Sequence, residues 1–73
     1  MTMDIKTLLK EWTERAAAAG LQSPAVDTEY IFSETLGMPR LELKLQGAKS
    51  LSSDEISKIN SLMERRIGGE PLQ

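Results

Sequence analysis

A chain of 73 residues leaves room for one domain, and this one carries nine basic and eleven acidic residues, a net charge of −2, and no cysteine or histidine. That composition excludes disulfides, thiolate metal sites and cysteine nucleophiles, and it removes the usual general base near neutral pH. With one Trp, one Tyr, one Phe and no basic stripe, it also argues against a base-stacking platform or a dedicated nucleic-acid binder.

The first element is a helix over about 3–19. Thr2 is placed to cap it, with Asp4 in the first turn where a negative charge meets the positive end of the helix dipole. Ile5, Leu8, Leu9, Trp12, Ala16 and Ala19 follow the 3-4-4-3 spacing of one helix face. Trp12 is expected in the core with its indole N–H at the rim. Glu11 and Arg15 form an i,i+4 pair in the better orientation. Gly20 supplies a left-handed stop, over which Leu21 can pack back.

A second helix, about 24–36, starts at Ser23-Pro24. Serine can accept a free backbone N–H, and proline at the first helical position gives up no hydrogen bond. Thr28, Ile31, Phe32, Thr35 and Leu36 form its inner face, with Val26 or Tyr30 at the margin. Gly37 ends it and Pro39 blocks continuation. Asp27 and Glu29 lie two residues apart, so they point in different directions and suit structural roles at the helix start better than paired acid–base catalysis.

Residues 40–46 are ambiguous from pattern alone. Leu41, Leu43 and Leu45 alternate as in a strand, whereas Leu41 and Leu45 are also i,i+4 as in a helix. A lone strand would lack a pairing partner, so the expectation is a short helix over about 39–46, closed by Gly47. Lys49 to Ser53 is a polar connection with Leu51 turned inward. Ser52 and Glu55 then have the spacing of a capping box, and Leu51 with Ile56 that of a hydrophobic staple. The last helix, about 53–67, presents Ile56, Ile59, Leu62, Met63 and Ile67 on one side and ends at Gly68-Gly69, with Arg65 and Arg66 complementing its dipole.

The fold class is therefore all-α, a small bundle of four to five helices at about 3–19, 24–36, 39–46 and 53–67. Residues 1–67 form the bundle domain, and 68–73 read as the start of a linker. The longest apolar run, Ala16 to Ala19, is too short to span a membrane, and the N-terminus has no signal-like apolar region, which makes the cytoplasm the expected location.

Segment charges are uneven. Residues 21–37 hold Asp27, Glu29 and Glu34 with no base, while residues 38–50 hold Arg40, Lys44 and Lys49 against Glu42. Helix surfaces meeting across a bundle explain that pattern. A partner-facing patch is the sharper alternative, and Arg40, Lys44 and Lys49 are the candidate partner-binding residues. No glycine-rich phosphate loop, calcium loop or zinc spacing occurs, so no catalytic, cofactor-binding or metal-ligating residue is assigned.

Two blocks resemble a known family. Ser23-Pro24-Ala25-Val26-Asp27-Thr28-Glu29-Tyr30-Ile31-Phe32, followed by Leu36-Gly37, is similar to the second-helix signature of the release-factor glutamine methyltransferases (the HemK/PrmC family), Ser-Pro-x-x-Asp-Ala-Glu and two apolar residues, then Leu-Gly. Glu64-Arg65-Arg66-Ile67-Gly68-Gly69-Glu70-Pro71-Leu72-Gln73 resembles the family's Arg-Arg-x-x-Gly-Glu-Pro-x-Gln segment. The order and spacing of the two blocks agree as well. One departure is Thr28, where the family usually has alanine.

The resemblance implies an N-terminal helical bundle that helps hold a peptide chain release factor. It also implies a linker to a C-terminal Rossmann-like methyltransferase domain absent from this sequence. That domain would bind S-adenosylmethionine and methylate the glutamine of the release factor's Gly-Gly-Gln motif. Its glycine-rich cofactor motif and Asn-Pro-Pro-Tyr motif have no counterpart here, so no activity is expected of residues 1–73 themselves. The competing readings are a free-standing helical protein–protein interaction module and a helix-turn-helix nucleic-acid binder, the second disfavoured by the acidic balance.

Overall fold

The computed structural model describes residues 3–69. Its elements are a two-residue strand β1 (Met3–Asp4), helix α1 (Ile5–Ala18), helix α2 (Pro24–Leu36), a short helix α3 (Arg40–Leu45), a second two-residue strand β2 (Ser50–Leu51) and helix α4 (Ser53–Ile67). The bundle expected from periodicity is present, with four helices. Helix α2 is the central element, packed against α1, α3 and α4.

The core is built from the apolar faces legible in the sequence. Ile5, Leu8, Trp12 and Ala16 of α1 meet Ile31 and Phe32 of α2, Leu43 of α3, Leu51, and Ile59 and Met63 of α4, all buried. Leu9, Leu36, Ile56, Leu62 and Ile67 pack around them, half-buried, while Ala19 is exposed. Trp12 lies in the core, and its Nε1–H donates to Asn60 Oδ1 at 2.9 Å, bridging α1 and α4 at the rim. The Arg15 guanidinium covers that ring at 4.8 Å and is held by Glu11 at 3.2 Å. Thr28 is fully buried, and its hydroxyl donates back to the Pro24 carbonyl at 2.6 Å. A threonine is tolerated there because its one polar group is satisfied within its own helix.

Several helix ends differ from expectation. The cap of α1 is Asp4, not Thr2: the Asp4 carboxylate accepts the Thr7 N–H at 2.9 Å and the helix begins at Ile5. Thr2 lies outside the described residues. Ser23 occupies the cap position of α2, but its side chain makes no capping bond; its carbonyl instead accepts the Asp27 N–H. With φ −129° and ψ 68°, Ser23 lies outside the extended conformation of Asp4 and Ser52, whose side chains do cap. Gly37 ends α2 in the left-handed region, at φ 66°, where a Cβ would be strained. Helix α3 is closed at Gln46, whose N–H bonds the Glu42 carbonyl, one residue before the expected Gly47. At the start of α4 the capping box is complete: Ser52 N–H donates to Glu55 Oε1 at 2.9 Å and Glu55 N–H to Ser52 Oγ at 3.1 Å.

The sequence does not signal the miniature antiparallel ladder, Met3 with Leu51 and Asp4 with Ser50. Beside it, the Ile5 N–H donates to the Lys49 carbonyl at 3.0 Å and the Lys6 N–H to the Gly47 carbonyl at 2.9 Å. These are first-turn groups of α1 that no intrahelical carbonyl can reach. Gly47 is buried under α1, and a Cβ on it would lie 3.1 Å from Lys6 Cβ. Both the bonds and the absent side chain bring the α3–β2 turn down onto the start of α1. The expected linker, 68–73, falls mostly on residues outside those described.

Two outcomes check this account of the helix ends. Ser52→Ala is expected to lower stability by about 1 kcal/mol, whereas Ser23→Ala changes it by less than about 0.5 kcal/mol, both read as shifts of the denaturant midpoint at constant m. Asp4 gives a pH test. Hydrogen bonds from Thr7, first its hydroxyl and then its backbone N–H, hold the carboxyl below its ordinary value of 3.8, with a smaller contribution from the Lys6 charge. A depressed carboxyl stabilises the fold above the ordinary value and loses that contribution as the pH falls through the folded-state value. The stability difference between the native chain and Asp4→Asn is therefore expected to shrink on acidification below pH 3.8.

Candidate partner-binding surface

Two carboxylates near the start of α2 pair with arginines from two other helices. Asp27, on the first turn of α2, accepts a hydrogen bond from Arg66 Nη2 on the last turn of α4 at 2.9 Å. Both side chains are largely buried, at 13% and 24% exposure. Glu29, two residues further along and on another face of α2, accepts Arg40 Nε at 3.0 Å and Nη2 at 2.8 Å, joining α2 to the start of α3. Asp27 and Glu29 do diverge, as their spacing implies. Their partners are the finding: Arg66 ties α4 to α2 as well as standing at a helix C-terminus. The acidic stretch 21–37 and basic stretch 38–50 meet through Arg40 and Glu29.

The structure divides the three candidate binding residues. Arg40 is half exposed, with its guanidinium engaged by Glu29. Lys44, one turn along α3, lies on the rim of a groove between α1, α2 and α3. Lys49 is exposed in the turn before β2, where its carbonyl accepts the Ile5 N–H. Of the three, Lys44 is the one that lines this groove.

That groove, about 410 Å³, has an apolar floor of Leu9, Ala25 and Leu43. Its rim carries Lys6, Lys10 and Lys44, with Thr13, Glu14 and Glu29 on the same walls. Lys6 and Lys10 are one helical turn apart on α1, next to Leu9. They sit on a different element from Lys44, so charge grouped by segment does not bring them together. Their i,i+4 spacing beside an apolar position was the available signal, but only the packing of α3 against α1 brings the three ammonium groups to one site.

Helix α3 has a second exposed feature. Leu43 turns into the core, so Leu41 and Leu45, two positions away on either side, turn outward and are 69% and 73% exposed. The i,i+4 pair that favoured a helix is thus an outer ridge, not a core face. Among the described residues no group of acidic, histidine or cysteine side chains is arranged to hold a metal ion, and no helix is long and apolar enough to cross a membrane.

Together these features define a small all-α domain with a shallow, lysine-rimmed groove and an adjoining apolar ridge. Residues 7–73 match the family described as the PrmC N-terminal domain, and the chain belongs to that family. It is 35% identical over 72 residues to a release factor glutamine methyltransferase of Aliivibrio fischeri, covering 99% of this chain and 25% of the relative. Proteins of the same name from Caulobacter vibrioides and Deinococcus radiodurans are each 32% identical, over 69 and 71 residues, which is 90% and 97% of this chain and 24% and 26% of theirs. The chain thus spans about a quarter of the length of the curated relatives it matches. No solved structure matches it.

The Asp27–Arg66 pair is expected to carry a measurable coupling. Asp27→Ala and Arg66→Ala each lower stability by about 1–3 kcal/mol, since each leaves a largely buried charge unpaired. The double variant is expected to cost less than the sum of the two. A double-mutant cycle by chemical denaturation reads the coupling, and strict additivity would remove it.

Proposed function

We propose that this domain is the substrate-recognition part of a protein methyltransferase that modifies the glutamine of a release factor's Gly-Gly-Gln motif. The observation that supports it is the family match over residues 7–73, together with relatives about four times as long that bear the name release factor glutamine methyltransferase. In this reading residues 1–67 form the recognition bundle, and the stretch from Gly68 leads into a catalytic domain. The bundle holds the release factor while the catalytic domain acts, and the enzyme works in the cytoplasm, where release factors operate.

The methyl donor of such an enzyme would be S-adenosylmethionine. The residues of this domain do not suit that group. Its sulfonium centre is cationic, and the groove offers three lysines. Of the two glutamates on the groove walls, Glu29 is already engaged by Arg40. Among the described residues its adenosine and methionine parts find no glycine-rich turn between a strand and a helix, since the strands there are two residues long and pair with each other. The cofactor site is accordingly assigned to the catalytic domain, and the chemistry with it.

What this chain's residues supply is surface. A bundle docked on the body of the release factor raises the local concentration of the glutamine at the catalytic domain and limits its orientations. Deleting the bundle from the full-length enzyme is therefore expected to lower kcat/KM for intact release factor by at least about tenfold. Methylation of a short Gly-Gly-Gln peptide, too small to reach the bundle, is expected to change little. An unchanged kcat/KM for the intact factor would refute the recognition role.

A further inference from the structure

We propose that the groove between α1, α2 and α3, with the α3 ridge beside it, docks an acidic amphipathic segment of a protein partner. Apolar side chains of that segment lie on Leu9, Ala25 and the outward ridge of Leu41 and Leu45, and its carboxylates face Lys6, Lys10 and Lys44. The surface follows from the geometry alone. That the partner is a release factor rests on the reading above.

Charge selects the occupant. The chain as a whole is acidic, at −2, yet this groove gathers three ammonium groups. No ion pair within 4 Å engages Lys6, Lys10 or Lys44 among the described residues. Of the two carboxylates on the same walls, Glu29 is committed to Arg40, which leaves Glu14 against three lysines. A concentration of positive charge on an otherwise acidic surface steers an anionic segment to this face and repels a basic one.

Shape narrows the class further. The floor is apolar but open, whereas small-molecule sites bury most of their ligand's surface. Leu41 and Leu45 add a second apolar surface on the outward side of α3, outside the groove and past Lys44. Two apolar surfaces with Lys44 between them, and Lys6 and Lys10 on the facing helix, match a helix or extended peptide laid across α3 that carries both apolar anchors and acidic residues. A lipid surface is a poorer match, because a concave groove cannot press flat on a bilayer and the outward strip of α3 is one six-residue helix.

The ¹⁵N-labelled 73-residue chain, titrated with three probes, tests this. The probes are a bacterial release factor, a synthetic helical peptide with leucine on one face and glutamate on the other, and phosphatidylserine-containing vesicles. Amide shifts at Lys6, Leu9, Lys10, Ala25, Leu43 and Lys44 are expected with the first two probes, and binding is expected to weaken as salt rises. Lys6→Glu with Lys44→Glu, and separately Leu41→Ser with Leu45→Ser, are expected to weaken binding at least about tenfold while leaving the denaturation midpoint nearly unchanged. Release-factor binding with shifts confined to another face would overturn the surface and leave the recognition role standing. Binding of the acidic peptide at the groove without binding of release factor would support the surface and overturn the identity of the partner. Binding to vesicles alone, or dimerisation of the chain through α3 in sedimentation, would overturn the proposal.

Discussion

The geometry of this domain depends on where the first turn of α1 finds its hydrogen-bond partners. A helix start leaves N–H groups that its own carbonyls cannot reach. Here one is met by Asp4, and two more, at Ile5 and Lys6, are met by the carbonyls of Lys49 and Gly47. The turn that leaves α3 is therefore fastened to α1, and the short ladder of Met3–Asp4 with Ser50–Leu51 extends the seam. Helix α3 is six residues long and could not hold a position by its own hydrogen bonds. Its place comes from Leu43 in the core, Arg40 on Glu29, and the seam that follows it. Because α3 is fixed, Lys44 faces Lys6 and Lys10 across an apolar floor, and the groove exists.

The two sequence blocks that carry the family resemblance also meet in space. Asp27 belongs to the first and Arg66 to the second, and they form a largely buried pair 39 residues apart. Ser23-Pro24 sets the start of α2, Asp27 fastens the end of α4 to it, and Gly37 turns the chain toward α3. Both blocks therefore have an architectural reading: they orient α4 on α2. This agrees with an acidic pair that does not share a site.

Much of the fold was legible because local rules and tertiary packing agree. Ile5, Leu8, Trp12 and Ala16 lie at helical spacing and are buried together; Ser52 and Glu55 form their box; Leu51 turns inward between them and the core. What was not legible depends on distance. Nothing near Thr2 and Asp4 says which of them caps α1, since both are good caps in sequence and the choice follows where the α3–β2 turn docks. A two-residue ladder has no periodicity to detect. The outward direction of Leu41 and Leu45 follows from Leu43 being the residue that reaches the core, which the alternation alone leaves open. The three-lysine rim escaped a segment-by-segment count because α1 supplies two of its members and α3 the third.

The place of α3 depends on the fastening of the α3–β2 turn to α1, and native-state amide hydrogen exchange at Ile5 and Lys6 measures that fastening directly. Both amides are expected to be protected nearly as well as those of the buried core positions Ile31 and Ile59, opening only when the domain unfolds. Exchange of Ile5 and Lys6 at the rate of exposed amides, with Ile31 and Ile59 still protected, would show that the seam is open in solution, leaving α3 and its groove without a fixed position.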